Sequence, residues 1–140
     1  MSHRILAFIG SAAQLTALAA ILKLPEPRSL SPDLKALPVE EDFGCAHFDD
    51  GEWAPPTAVL QLLAQHSRTA PMAFVETDYF GGTGGQGAVV FGNGIAIYGP
   101  EWDSIGPINR ALALLGVEVT PPMTDEFDAT GLGSIRTFEP

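Results

Sequence analysis

Cysteine and positive charge are the two things this 140-residue sequence has least of. Cys45 is its only cysteine, so no intramolecular disulfide can form, and no Cys-x-x-Cys or Cys/His spacing supplies a zinc tetrad. A reducing compartment, the cytoplasm, is therefore expected. Cys45 would be a nucleophile only if a base approached it, and His47 is two residues away; a buried, inert thiol is the simpler reading. Lys and Arg number 7 against 17 Asp and Glu, a formal net charge of −10. Such a surface repels phosphate backbones and anionic headgroups, which argues against nucleic acid and membranes as partners and leaves basic proteins or cations. Solubility alone is the plainer consequence of the same charge.

Disorder is also excluded. Hydrophobic residues make up 46% of the chain and charged ones 17%, a composition that can bury a core, and the length suits one domain over residues 1–140. The apolar stretch from Ile5 to Leu22 behind Arg4 has the outline of a secretory signal. It is interrupted, however, by Gly10-Ser11-Ala12-Ala13-Gln14, which spells a helix start with Ser11 as N-cap and Gln14 closing a capping box. A strand followed by a helix is expected there instead.

Along the chain, His3 to Ile9 reads as a buried central strand, and Leu15, Leu18, Ala19 and Leu22 give the next segment one apolar stripe. Pro25 and Pro27 end that helix. Residues 24 to 54 are the least regular; only Leu34 to Val39 suggests a strand, which Pro38 demotes toward a sheet edge. Phe43, Phe48 and Trp53 are interleaved with Asp49, Asp50 and Glu52, either as a recognition loop or as aromatic pins holding the loop to the core. Pro55-Pro56 opens a second helix carrying Val59, Leu62, Leu63 and His66. A histidine at that helix end reads as packed and capped by carbonyls.

Met72 to Phe80 alternates as a strand should. A link from Gly81 to Gln86 leads to a strand over Gly87 to Phe91, and Gly92-Asn93-Gly94 turns the chain into a third strand, Ile95 to Tyr98. Pro107 opens a third helix with Ile108, Ala111, Leu112 and Leu115 on one face, and Gly116 closes it. No internal repeat or interdomain linker is present. The expected fold class is α+β, in the order β-α-β-α-β-β-β-α. It consists of a mixed or antiparallel sheet of about five strands with three helices packed on one face as a two-layer sandwich.

Gly82-x-Gly84-x-x-Gly87 spells the dinucleotide fingerprint, yet that motif needs a helix after its last glycine, and Ala88 to Phe91 reads as strand. No phosphate-loop lysine is present. Glu76 and Asp78 share one strand face about 7 Å apart, a spacing at which two carboxylates can bind a cation or share a proton; a solvated sheet face gives the same pattern. Tyr79 and Gln86 flank the connection and could add hydrogen bonds to a ligand. Asp125, Glu126 and Asp128 fail the calcium-loop pattern because Gly131 is misplaced. His3, His47 and His66 form no helical ligand pair, and no serine-nucleophile elbow occurs. No cofactor and no metal site is expected.

Three stretches together, Glu76 to Gln86, Ile108 to Gly116 and Asp125 to Gly133, resemble small bacterial proteins akin to the immunity proteins of toxin systems. The resemblance covers about the last half of the chain and implies a bacterial, cytoplasmic, protein-binding role without catalytic residues. The leading expectation is a non-enzymatic acidic domain that meets a basic protein through Phe48, Asp49, Asp50, Trp53, Glu76, Asp78, Tyr79 and Gln86. The alternatives are a small hydrolase or ligand-binding domain using Glu76, Asp78 and Gln86 at one pocket mouth, and a subunit of a homo-oligomer.

Overall fold

A computed structural model describes residues 2–31, 34–39, 47–49, 52–80, 83–104, 106–117 and 137–138. Among the described residues the fold is α+β, with three helices and a six-stranded antiparallel open sheet. The elements are β1 (Ser2–Gly10), α1 (Ala12–Leu22), β2 (Arg28–Ser31), β3 (Leu34–Pro38), β4 (His47–Asp49), β5 (Glu52–Ala54), α2 (Thr57–His66), β6 (Met72–Phe80), β7 (Thr83–Gly92), β8 (Ile95–Asp103), α3 (Pro107–Leu114) and β9 (Thr137–Phe138). The order across the sheet is β2-β3-β1-β6-β7-β8. β9 adds two residues alongside β1 in parallel, at Arg4 and Ile5.

β1 is central because both of its faces are apolar. Ile5, Ala7 and Ile9 enter one core with Ala73, Val75, Ala88 and Val90, whereas Leu6 and Phe8 enter the other with Met72, Phe74 and Val89. Phe8 lies directly opposite Phe74, their rings meeting edge to face at 5.1 Å, a favourable aromatic geometry. Because these three strands are apolar on both sides, both sides must be covered, and this corrects the expected two-layer packing. α1 and α2 cover the Phe8 face through Leu15, Leu18, Val59 and Leu63, while α3 covers the opposite face through Ile108, Ala111 and Leu112.

The capping box at α1 is present as read, with Gln14 N–H donating to Ser11 Oγ (3.2 Å) and Ser11 N–H to Gln14 Oε1 (2.9 Å). The same buried Gln14 donates through Nε2 to the carbonyls of His66 (2.8 Å) and Ala70 (2.7 Å). It therefore ties the start of α1 to the end of α2. β3 is not an edge, because β2 pairs outside it; Pro38 is tolerated as the last residue of the strand, opposite Ala7. β7 starts at Thr83, four residues before the expected Gly87, and β8 runs on to Asp103. Two register shifts, one of them across Gly99 and Pro100, bend β8 along its length, as bulges do at sheet edges.

Candidate functional site

Glycines in β7 build the most distinctive feature of the sheet surface. Glu76 lies opposite Gly87 and Asp78 opposite Gly85, and Trp102 in β8 lies opposite Gly87 on its other side. A Cβ at Gly85 would stand 2.7 Å from Cε2 and Nε1 of Trp102, and one at Gly87 would stand 2.6 Å from Cδ2 and Cε2 of Trp53. Contacts that short to several atoms of one ring mean that each indole lies flat on a glycine. The two rings are 6.3 Å apart and inclined at 36°. Trp53 is buried and Trp102 half-buried.

Trp53 comes from the separate hairpin β4–β5, where it pairs with Phe48. Its Nε1–H donates 2.9 Å to Glu76 Oε1, and the two side chains are 4% and 5% exposed. A carboxylate that deep needs a donor, and an indole N–H needs an acceptor. The bond therefore fastens the hairpin to the sheet, as expected of an aromatic pin. Asp78, two residues along the same strand face, is exposed.

The expected site residues thus divide. Glu76, Asp78 and Trp53 come together on one face. Gln86 lies on the opposite face, where Oε1 accepts from Ile108 N–H at 2.8 Å and caps the first turn of α3, a helix whose own N-cap position holds Gly106 with no side-chain bond. Tyr79 pairs through its backbone with His3 and Gly84, and Asp49 pairs with Glu52; the side chains of Tyr79, Phe48 and Asp49 lie outside the described residues, as does Asp50. Cys45 and the stretch from Asp125 to Gly133 also lie outside them. Trp102, Gly85 and Gly87 were not expected as site residues. Their signal was the alternation of two glycines at 85 and 87 with a tryptophan one strand away.

Ala88 to Phe91 lies within β7, so no helix follows the glycine fingerprint. Among the described residues no cluster of three or more His, Cys, Asp or Glu is arranged to hold a metal ion, and no helix is long and apolar enough to cross a membrane. On the α3 face, Arg110 Nη1 pairs with Glu101 Oε1 at 2.8 Å. The nearby Tyr98 hydroxyl is buried with no hydrogen-bond partner among the described residues. Burial pushes its pKa above the ordinary value of 10.0, and Glu101 adds to the rise while Arg110 opposes it.

Charge is unevenly distributed along the chain. Residues 40–52 and 118–128 hold ten of the seventeen acidic residues and none of the seven basic ones. The first stretch follows Val39, whose N–H donates to Leu6 O at 2.9 Å, and leads through β5 into Trp53. The second precedes β9, which pairs with Arg4 and Ile5. Arg4 is the register partner of Asp78, so both acidic stretches connect to the end of the sheet that carries Asp78 and Trp102. The chain matches no protein family, no curated protein and no solved structure, and function has to be argued from these residues.

Proposed function

We propose that this protein is a non-enzymatic acidic binding domain that engages a basic protein, in the manner of a bacterial cytoplasmic immunity protein neutralising a basic toxin. One observation carries the reading. Two stretches rich in Asp and Glu and free of Lys and Arg connect to the same sheet end, where Asp78 is exposed and Trp102 half-exposed. Like charges gathered at one place steer an oppositely charged partner and repel wrong ones. The catalytic alternative has less support, because Gln86 caps α3 across the sheet from Glu76 and Asp78, and Glu76 is occupied by Trp53.

The test is capture of basic proteins from the source cell on the immobilised full chain, compared with the triple variant Glu40→Gln, Glu41→Gln, Asp42→Asn. A defined basic partner should be retained at about 50 mM salt, released by about 300 mM, where screening is severe, and bound more weakly by the variant. Retention indifferent to both salt and variant would rule the reading out.

A further inference from the structure

We propose that two copies of this chain pair edge to edge through β8, about a two-fold axis at Ala96. β8 closes the sheet on one side, and among the described residues no strand pairs with it other than β7. The unpaired N–H and C=O groups of such an edge are a template for another strand, and edges are commonly guarded by charge, proline or bulges. Here the guards stand in the far part of the strand, where Pro100 lacks an N–H and the ladder shifts register between Ala88 and Val90. The near part is open. Ile95 is 64% and Ile97 47% exposed, Ala96 between them is exposed too, and from Gly92 to Pro100 the chain carries no charged residue. A second shift leaves Ile97 as the extra residue between Ala96 and Tyr98, so the open ladder is short. Pairing of this kind is independent of the acidic-binding reading.

The open segment is complementary to itself. Asn93 and Gly94 both have positive φ, 55° and 82°, as in the two-residue turn that closes on a hydrogen-bonded pair, and that pair is Gly92 and Ile95. Inward and outward groups alternate along an antiparallel strand, so the N–H and C=O of Ala96 point away from β7. Ile95 and Ile97 share one face, since Ile95 opposes Gly92 and the Ile97 side chain comes within 3.2 Å of where a Cβ of Gly92 would stand. An axis at Ala96 therefore joins the two Ala96 residues through their backbones and sets Ile95 of each copy against Ile97 of the other, a β-branched cross-strand pair on each side. The same isoleucines cover the open hollow they share with Pro71 and Arg68. A second copy fits this edge because the edge lacks acid. A chain of net charge −10 repels its own kind wherever the acidic stretches approach each other. From Ala96 to Trp102 the strand spans about 20 Å, so the acidic ends of the pair stand about 40 Å apart, several screening lengths. Arg68, the one charged residue lining the hollow, has the sign opposite to the net charge.

Sedimentation of the full chain from about 5 µM to about 500 µM at about 150 mM salt is the first measurement, a range suited to an interface as small as one short ladder. The average mass should rise from that of the monomer toward twice it and stop there, because a two-fold contact closes on itself. Ile97→Lys, at an exposed position without a register partner in β7, should hold the chain monomeric at the top of the range. Ala96→Cys then locates the axis. Hydrogen-bonded antiparallel partners have Cα atoms about 5.5 Å apart, within the reach of a disulfide. The comparison is with Ser29→Cys, an exposed position in β2 at the opposite edge of the sheet, both in a Cys45→Ser background. Mild oxidation should crosslink Ala96→Cys at least about tenfold faster, since pairing raises the effective concentration of the two thiols. Crosslinking remains the test should Ile97→Lys fail to fold. A monomer at every concentration overturns the pairing. So does a dimer that a folded Ile97→Lys leaves intact, a mass that climbs beyond two copies, or crosslinking no faster at 96 than at 29.

Discussion

Gly87 illustrates how a single side chain's absence can be a structural requirement. Nothing about its position within β7 demands unusual backbone angles; what it supplies is room for the Trp53 ring. Tyr98 presents the opposite case, a group present but unsatisfied. Its hydroxyl is buried without a well-formed hydrogen bond among the described residues, although Arg110 and Glu101 stand close enough to act on it. Removing a buried hydroxyl that makes no well-formed bond gives up little, so Tyr98→Phe should be neutral or stabilising by up to about 1 kcal/mol near neutral pH. The pH dependence has a definite sign. The folded-state pKa lies above 10.0, so as pH climbs past that value the unfolded chain releases the proton first and gains stability relative to the fold. The contribution of Tyr98 is thus complete below pH 10.0 and lost as pH rises toward the folded-state value. Urea denaturation at about pH 8 and about pH 10.5 should show the parent chain losing more stability than Tyr98→Phe between the two; parallel losses would show that Tyr98 does not titrate differently on folding.

Gln14 joins two helices that are far apart in sequence. Its oxygen closes the α1 capping box, and its amide donates to two carbonyls at the end of α2 and just beyond. Gln14→Glu keeps the acceptor and replaces both donated bonds by a carboxylate facing carbonyl oxygens, while Gln14→Leu strands all three partners. Each unsatisfied buried group costs about 1–3 kcal/mol, so both variants should lower stability by at least about 2 kcal/mol in chemical denaturation, and Gln14→Glu should recover part of the loss at acid pH. The capping half of this arrangement was legible from Ser11 and Gln14 alone, because capping is local. The reach to His66 and Ala70 was not, because it depends on how α2 packs. The same division runs through the fold. β1, β6 and the three helices follow from periodicity and caps, which act over a few residues. β2 and the β4–β5 hairpin are short and proline-flanked or acid-rich, with too little pattern to declare a strand. β8 outran its expected end because Gly99-Pro100 reads as a stop, whereas the ladder continues past it through a bulge. At the candidate site, the shared face of Glu76 and Asp78 was readable from period two. Gln86, one residue out of phase with the site-facing Gly85 and Gly87, had to point to the other face; that parity was readable only once the strand was known to start at Thr83. Helices on both sides of the sheet were legible in principle too, in the unbroken apolar runs Ile5 to Ile9, Ala73 to Val75 and Ala88 to Val90.

The charge that would attract a partner also works against the fold that carries it. A net charge of −10, gathered in two stretches that connect to one end of the sheet, repels itself in the compact state and is relieved when the chain unfolds and the charges separate. Screening by salt therefore acts in two directions. It should stabilise the isolated protein, by about 1 kcal/mol or a Tm rise of about 4 °C between low and moderate ionic strength for a chain of this length. The same salt should weaken capture of the basic partner. Sodium chloride should suffice for both effects, since charge screening does not depend on the ion being strongly excluded from apolar surface, as sulfate is. The triple variant Glu40→Gln, Glu41→Gln, Asp42→Asn separates the charge from everything else the chain does. At low salt it should melt higher than the parent and bind the partner less tightly, and at high salt both differences should shrink together. Thermal melts and binding titrations across one salt series measure the two sides in parallel. If the variant melts lower at low salt, those acids are held by favourable contacts in the fold and are not available as a repulsive reservoir that a basic partner would discharge.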